Sequence, residues 1–337
     1  IYIMVDYKKK YLKYKNKYLQ AKKNIKIKGG NPPPELKPVI SAPETTKERR
    51  QADAAKEISI ASYNISFATQ NNEQKGSEAD FVQECQEKYP KEGGKTCHQN
   101  AINSINNAIE THNIQFIGFQ EVANEASGNN LRDQISQPKN WEYHYLQYTD
   151  KRPALITAAL VSMWKPEIFG KAKKYKIFNL ANDLDDNRPC TIIITDNTII
   201  INAHFGWLDK YPAQLCPIQQ QIRTELNEML GATKEEKTEQ LRKITHIIFV
   251  GDTNDVYGFI NSENPLVLYG DNFEFLLHNS LTKQQTLDQL KTCCWHKPDH
   301  NHYKESREPG DYAIIMKINN IDGTFKSTPL NPDFHFI

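Results

Sequence analysis

The stretch Ile247-Ile248-Phe249-Val250-Gly251-Asp252-Thr253-Asn254-Asp255 sets four bulky apolar residues directly before a run of polar ones. A short apolar run that ends in glycine is typical of a strand buried in a sheet, and we predict one over Ile244–Val250. This strand would deliver the carboxylate of Asp252 and the carboxamide of Asn254 to one face, since alternate residues of an extended chain share a face. The alternative interpretation is an Asx-rich turn that only closes the strand.

A carboxylate and a carboxamide at the end of a buried strand suit phosphate chemistry. The carboxylate can accept a proton from water or bind a hard cation, and the carboxamide can orient that water or a phosphate oxygen. Glu121 repeats the arrangement, because it follows the apolar run Phe116–Phe119 and is a candidate ligand for Mg²⁺. Taken alone, Glu121 would sooner be interpreted as a solvent-facing loop residue.

Three further strand ends carry polar side chains. Asn202 and His204 follow an isoleucine-rich run and would share a face, where the imidazole could donate to a phosphoryl oxygen or act as an acid. Asp311 opens an apolar strand over Tyr312–Ile318, and a carboxylate there can orient and stabilise a charged histidine. Asn64, at the end of the first predicted strand, is a possible metal or phosphate contact.

The other apolar runs alternate irregularly between helix and strand patterns. Asp196-Asn197, between two isoleucine-rich runs, indicates a hairpin turn. Helices are predicted over Ala101–His112 and Pro217–Leu230, and charged residues 233–242 would continue the second helix or form a loop. Strands are predicted over Ile58–Tyr63, Ile114–Phe119, Leu155–Trp164, Thr191–Ile194 and Thr198–Ala203. Hairpin-linked strands favour an α+β fold, with two mixed sheets and outer helices, over a doubly wound parallel sheet.

The N-terminal segment differs in texture from the rest of the chain. Residues 1–28 carry ten lysines and one aspartate, a net charge of +9, so the remainder carries −8 against the overall +1. Four tyrosines would share one face of a helix there, and a Pro-Pro-Pro run would form a stiff linker. We predict a basic tail and Pro-rich linker over 1–56 and a catalytic domain over 57–337. The tail could contact a membrane or nucleic acid, or be a solvated appendage.

Composition restricts the class of protein. Of 337 residues, 38% are hydrophobic and 25% are charged, which indicates a globular chain. No apolar stretch approaches the roughly 20 residues that span a bilayer, and no apolar run follows the basic start as in a secretory signal. We expect a monomer in a reducing compartment such as the cytoplasm. Six cysteines are too few for a disulfide scaffold, although Cys85 and Cys97 could pair in an oxidising compartment.

The polar strand ends form an ordered series along the chain: Ser62-Tyr63-Asn64, Gln120-Glu121-Val122, Asn202-Ala203-His204, Gly251-Asp252-Thr253-Asn254 and Gly310-Asp311-Tyr312. This order resembles that of the endonuclease/exonuclease/phosphatase superfamily, which has the DNase I-like fold. The resemblance covers 57–337 and implies a four-layer α/β/β/α sandwich. The lysine- and tyrosine-rich start resembles the lead-in of proteins from giant DNA viruses, which suggests a viral member, located in the host cytoplasm or in a virion.

The resemblance also implies a role for each residue of the site. Glu121, Asn64 and Asp333 would hold Mg²⁺ or Mn²⁺, and Asp252 would orient or deprotonate the attacking water. The residues implied to contact the water or the phosphate, or to orient the late catalytic histidine, are Asn254, Asn202, His204, Asp311 and His335.

The C-terminal residues depart from the family pattern. The family has an adjacent Asp-His pair, whereas here Phe334 separates Asp333 from His335. The two side chains would still share a face of an extended chain; if they do not reach the site, the enzyme is weakened. The segment Cys293–His302 is rich in cysteine and histidine, so a structural zinc site is a further alternative to a substrate-facing loop.

These observations favour a nuclease or phosphodiesterase, in which Mg²⁺ assists the attack of water on a phosphodiester of nucleic acid or a nucleotide. A phosphatase of small phosphoesters or phospholipids is the alternative on the same fold. The displaced Asp333 and His335 keep a third possibility open, a catalytically impaired binding or virion protein.

Overall fold

The computed structural model describes residues 58–65, 83, 87, 94–135, 140–147, 159–180, 188–206, 215–254, 260–289 and 310–330. The chain divides into two units, Ile1–Lys56 and Glu57–Ile337, and every described residue belongs to the second unit. The predicted basic tail, the segment Cys293–His302 and the pair Asp333 and His335 lie outside the described residues. The expectations for these parts of the chain therefore stay predictions.

The described part of the chain contains strands and helices in irregular alternation. The strands are β1 (Ser59–Asn64), β2 (Ile114–Val122), β3 (Glu142–Gln147), β4 (Ala159–Trp164), β5 (Ala172–Asn179), β6 (Pro189–Thr195), β7 (Thr198–His204), β8 (His246–Asp252), β9 (Leu266–Tyr269), β10 (Phe273–Leu277), β11 (Asp311–Ile321) and β12 (Thr324–Pro329). The helices are α1 (Gly94–Thr111), α2 (Glu125–Gln134), α3 (Pro166–Phe169), α4 (Leu215–Leu230), α5 (Lys234–Lys243) and α6 (Lys283–Gln289).

These strands form two mixed sheets. The smaller sheet has the order β1-β2-β4-β3, and the larger has the order β5-β6-β7-β8-β11-β12-β10-β9. Strand β1 runs parallel to β2, and β7 runs parallel to β8. Strand β11 is antiparallel to β8, so that Asp311, its first residue, pairs with Asp252, the last residue of β8. Each sheet thus brings the carboxyl ends of two parallel strands together at one edge.

Three apolar clusters define the layers. One lies between the sheets and contains Phe116, Trp164, Ile193, Ile200, Ile248, Val250 and Ile315. A second joins α1, through Ile102 and Ile105, to the outer face of the smaller sheet. A third joins α4, through Ile218 and Ile222, to the outer face of the larger sheet. The predicted α+β fold, a four-layer α/β/β/α sandwich of two packed mixed sheets with outer helices, is confirmed.

Several element boundaries differ from the prediction for identifiable reasons. Residues 233–242 neither continue α4 nor form a loop, because Thr233 and Glu236 make a capping box that starts a separate helix, α5. Ile244 caps the end of that helix, so β8 begins at His246. Strand β5 had no apolar alternation to reveal it. It is a lysine-rich strand at the edge of its sheet, where charged side chains discourage pairing with another chain.

The cysteines of the described residues differ in state. Cys97 on α1 is disulfide-bonded, and Cys190 on β6 is a buried free thiol. Cys85, the partner that the spacing suggests, lies outside the described residues. Among the helices of the described residues, none has both the length and the apolar character that crossing a bilayer requires.

Candidate metal centre

Four polar side chains meet where the two parallel strand pairs end. Asn64 is the last residue of β1, and Glu121 is the last but one of β2. His204 and Asp252 are the last residues of β7 and β8. The site is therefore built from both sheets, and parallel pairing is the reason that residues far apart in sequence arrive at one edge.

Glu121, His204 and Asp252 form a compact cluster. His204 Nε2 lies 3.5 Å from Glu121 Oε1 and 3.7 Å from Asp252 Oδ2. One ligand atom from each of the three residues lies within 4.8 Å of the others, which is close enough to share a metal ion. The three residues are at most 8% exposed. Buried carboxylates need a cation or hydrogen-bond donors to offset the loss of hydration, so the chemistry of this donor set fits a divalent metal.

Glu121 reaches the cluster through a bulge in β2. Phe119 pairs with Val161 and Val122 pairs with Ala159, so three steps along β2 correspond to two along β4. Glu121, within the extra length, has a positive φ of 56°. A left-handed backbone costs a residue other than glycine about 1–2 kcal/mol. The surrounding structure sustains this strain, and bulges of this kind often re-aim a side chain next to an active site.

Asp252 is held by two donors. Asn64 Nδ2 donates to Asp252 Oδ2 at 2.8 Å, and the backbone N–H of Asn254 donates to Asp252 Oδ1 at 2.9 Å. The second bond makes an Asx turn, so the turn and the candidate site coexist. The expectation of an extended chain with both side chains on one face is wrong here, because Asn254 follows the strand with a φ of 48°. Its Nδ2 donates to the carbonyl of Phe205 at 2.9 Å.

His204 is buried and faces a cation. Arg188 Nη1 lies 2.8 Å from His204 Nε2. Burial, and then the charge of Arg188, lower the pKa of His204 well below its usual value. A guanidinium only donates, so Nε2 of the neutral imidazole accepts and the proton lies on Nδ1. Nδ1 is buried and has no hydrogen-bond partner among the described residues.

Asn202 lies in the core between the sheets and is fully buried. Its Nδ2 lies 3.0 Å from the carbonyl of Val161, 3.3 Å from the carbonyl of Phe119 and 3.2 Å from Ser162 Oγ. Its Oδ1 accepts from Gln120 Nε2 at 2.8 Å. The amide is thus engaged by the other sheet, and these bonds do not support the predicted contact with a phosphate.

Asp311 occupies the predicted place at the start of β11, beside Asp252. Burial, and then the charge of Asp311, raise the pKa of Tyr63, so the phenol of β1 lies within electrostatic reach of this carboxylate. The histidine that Asp311 was expected to orient, His335, lies outside the described residues, as does Asp333.

Arg188 is the site residue that sequence reasoning did not assign. An isolated arginine before a strand carries no role by itself. Its position is set by its backbone N–H, which donates to Asn179 Oδ1 at 2.6 Å across the β5–β6 pair. Only the fold reveals that the side chain meets His204.

Neither the protein-family models nor the curated proteins give a match to this chain. Among solved structures, the chain is similar to an endonuclease/exonuclease/phosphatase family protein from Bacteroides thetaiotaomicron, with 13% identity, 78% of this chain and 83% of that chain covered, and a TM-score of 0.42. It is similar to truncated Caenorhabditis elegans TDP2, with 12% identity, 80% and 92% covered, and a TM-score of 0.42. It is also similar to ANGEL2, a 2',3'-cyclic phosphatase, with 13% identity, 81% and 87% covered, and a TM-score of 0.44.

Proposed function

We propose that this chain is a metal-dependent phosphoester hydrolase of the endonuclease/exonuclease/phosphatase type, acting on phosphodiesters of nucleic acid or nucleotides. The observation that carries the proposal is the buried cluster of Glu121, His204 and Asp252 beside Arg188. Two carboxylates supply a site for a divalent cation, and the adjacent guanidinium supplies a partner for an anion. A site that offers both a divalent cation and a guanidinium to an anion suits a phosphate group.

Glu121 and Asp252 would hold the metal. Mg²⁺ commonly takes one or two protein carboxylates and keeps several waters, which matches these two side chains. His204 Nε2 accepts from Arg188, so an oxygen-ligated ion such as Mg²⁺ or Mn²⁺ suits the site better than an ion that requires imidazole. A bound divalent ion would polarise the phosphoryl group as a Lewis acid.

The residues of the chain would bind and orient the reactants. Asp252, fixed by Asn64 and by the N–H of Asn254, presents a carboxylate that can orient water and accept its proton. The guanidinium of Arg188 would bind a phosphate oxygen in a charge-assisted bond. Once Arg188 binds the phosphate, Nε2 of His204 would be free to take up a proton from water and could then donate to a second phosphoryl oxygen. Burial keeps these charges in a medium of low polarity, where each interaction is stronger than in water.

A hydrolysis assay tests the proposal. The purified chain is incubated with Mg²⁺ or Mn²⁺ and, in turn, with bis-p-nitrophenyl phosphate, single-stranded DNA, RNA and inositol phosphates, beside Asp252→Ala and a sample with EDTA. We expect metal-dependent cleavage of a diester and its loss in the variant. Equal hydrolysis by Asp252→Ala would contradict the site. Turnover of monoesters alone would favour the phosphatase alternative, and binding without turnover would favour an impaired enzyme.

A further inference from the structure

The bulge in β2 decides which way Glu121 points. Phe119 and Val122 both lie in the apolar cluster between the smaller sheet and α1, although they are three residues apart. In a regular strand, Glu121 would share the face of Phe119, and Val122 would face the other sheet. The extra residue of the bulge exchanges these two faces: Val122 packs toward α1, and Glu121 faces the other sheet. Glu121 Oε1 accordingly lies 3.5 Å from His204 Nε2.

Asn202, from the larger sheet, contacts β2 and β4 of the smaller sheet where the pairing of these two strands is interrupted. Its Nδ2 approaches the carbonyls of Phe119 and Val161, which form the last regular pair before the bulge. Its Oδ1 accepts from Gln120, the residue directly before Glu121. One side chain of β7 therefore contacts both members of the last regular pair before the bulge, and Gln120 within the bulge.

The sequence leaves room for this approach. Gly118 stands two residues before Gln120 on the inter-sheet face, and a Cβ there would lie 3.3 Å from Asn202 Nδ2 and 2.4 Å from Val250 Cγ2. The absence of a side chain at Gly118 lets the two sheets come close enough for a short carboxamide to bridge them. Asn202 also stands two residues before His204, so the same bridge ties together β2 and β7, the strands that carry Glu121 and His204.

We propose that Asn202 is a positioning residue, which clamps the β2 bulge and thereby fixes Glu121 in the site, and that it does not contact the phosphate. The inference rests on the proposed function in that Glu121 is a metal ligand. It differs from the role that the family resemblance implies for this asparagine. It also differs from a purely structural role, because the effect of its loss is local to Glu121 and the bound ion.

Two variants of the chain, prepared without metal, separate a positioning role of Asn202 from a purely structural one. Asn202→Ser removes the amide that reaches the bulge without introducing a charge. Thr195→Val is the matched control, because Thr195 is equally buried and its hydroxyl also bonds to backbone carbonyls, at the opposite end of the same sheet. The first readout is the pair of ¹³Cα and ¹³Cβ shifts of Glu121, which distinguish a left-handed residue from its extended neighbours. The second is the affinity for Mn²⁺, measured by calorimetry without substrate.

We expect Asn202→Ser to move the Glu121 shifts toward extended values and to weaken Mn²⁺ binding about 10- to 100-fold, as loss of a group that orients a ligand commonly does. Thr195→Val should lower the unfolding temperature and leave both readouts unchanged. Unchanged Glu121 shifts in Asn202→Ser, or equal changes in the control, would overturn the inference. A raised KM at saturating metal with unaltered Mn²⁺ affinity would also overturn it, since it would show a contact with substrate.

Gln120→Met keeps the test decisive should Asn202→Ser fail to fold. It removes the bond to Asn202 Oδ1, together with the longer bond that Gln120 Oε1 accepts from Ser62 Oγ, and should give a smaller change of the same kind in both readouts. No change in either readout would count against the clamp. The Glu121 shifts need neither metal nor substrate. A chain that hydrolyses no phosphoester would therefore defeat the proposed function, while these shifts would still decide the role of Asn202.

Discussion

His204 Nε2 accepts a hydrogen bond from Arg188 Nη1 at 2.8 Å, and this contact places the imidazole proton on Nδ1. In this state the imidazole cannot donate through Nε2 to a phosphoryl oxygen. A phosphate offers the guanidinium an anionic acceptor, which it can bind with two parallel N–H···O bonds, in place of a single bond to a neutral imidazole. We therefore expect substrate to draw Arg188 away from His204 and to leave Nε2 free to take up a proton, which it must hold before it can donate to a phosphoryl oxygen.

Arg188→Met should impair turnover through the loss of this phosphate contact. Removal of one donor to a developing charge typically costs about 10²–10³ in rate, so we expect a loss of that size in kcat/KM at saturating metal. Inhibition by inorganic phosphate should weaken in parallel. Arg223→Met is the control, because Arg223 packs on the ring of Tyr269, on the edge strand β9 of the larger sheet, and should change neither value. Wild-type phosphate inhibition in Arg188→Met would contradict the role.

Gly251 is required by the close approach of β7 and β8. A Cβ at this position would lie 2.3 Å from the backbone carbonyl oxygen of Ala203, which no side-chain rotation can relieve. Gly251→Ala should therefore separate the two strands directly before His204 and Asp252. We expect a loss of about 1–3 kcal/mol in the free energy of unfolding, the usual cost of overpacking, together with loss of Mn²⁺ binding. Urea denaturation and calorimetry measure the two effects, and wild-type metal affinity in the variant would refute the expectation.

Gly118 presents the opposite case, in which the obstacle is a side chain. A Cβ there would lie 2.4 Å from Val250 Cγ2, so Gly118→Ala should destabilise the chain by an amount similar to that of Gly251→Ala. Val250→Ala removes this methyl group and should restore part of the lost stability in the double variant. A double-mutant cycle in urea measures the coupling between the two positions. Strict additivity would show that the two sheets do not meet at this point.

Much of the fold was predictable because most of its central strands are apolar and the turn between β6 and β7 is short. The isoleucine-rich runs of β6 and β7 indicate buried strands, and the Asp-x-Asn that begins at the last residue of β8 indicates a polar strand end. Both patterns are local and need no tertiary contact to be recognised. Strand β5 was not predictable in the same way, since its lysines lie at an edge that faces solvent. Apolar alternation arises where one face of a strand is buried, so a strand with little burial is hard to recognise from its sequence.

The site was predictable in its members more than in its geometry. Asn64, Glu121, His204 and Asp252 stand at strand ends that parallel pairing brings together, as expected from their order. The bulge at Glu121 and the left-handed turn at Asn254 could not be predicted, because non-glycine residues seldom adopt a positive φ and no local pattern announces it. The engagement of Asn202 by β2 and β4 depends on contacts 40 and more residues away, which strand periodicity cannot supply.

Acid should destabilise this chain from about neutral pH downward. Burial lowers the pKa of His98, His144, His204 and His246, so the folded state binds fewer protons than the unfolded state at pH values below 6.5. The free energy of unfolding should therefore be fully retained above that pH and should fall as pH drops toward the folded-state pKa values, below which the loss ends. The slope is at most about 1.4 kcal/mol per pH unit for each fully buried group, and smaller for half-buried ones.

Urea denaturation in EDTA between pH 5 and 8, a range about the reference histidine pKa, measures this dependence. His246→Gln tests it away from the candidate metal centre, since His246 lies at the other end of β8, where burial and then the charge of Lys317 lower its pKa. The variant should have a shallower slope below pH 6.5 and an unchanged slope above pH 7, where neither state of this histidine takes up a proton. A slope that is the same in variant and wild type throughout would show that His246 titrates alike in the folded and unfolded chain.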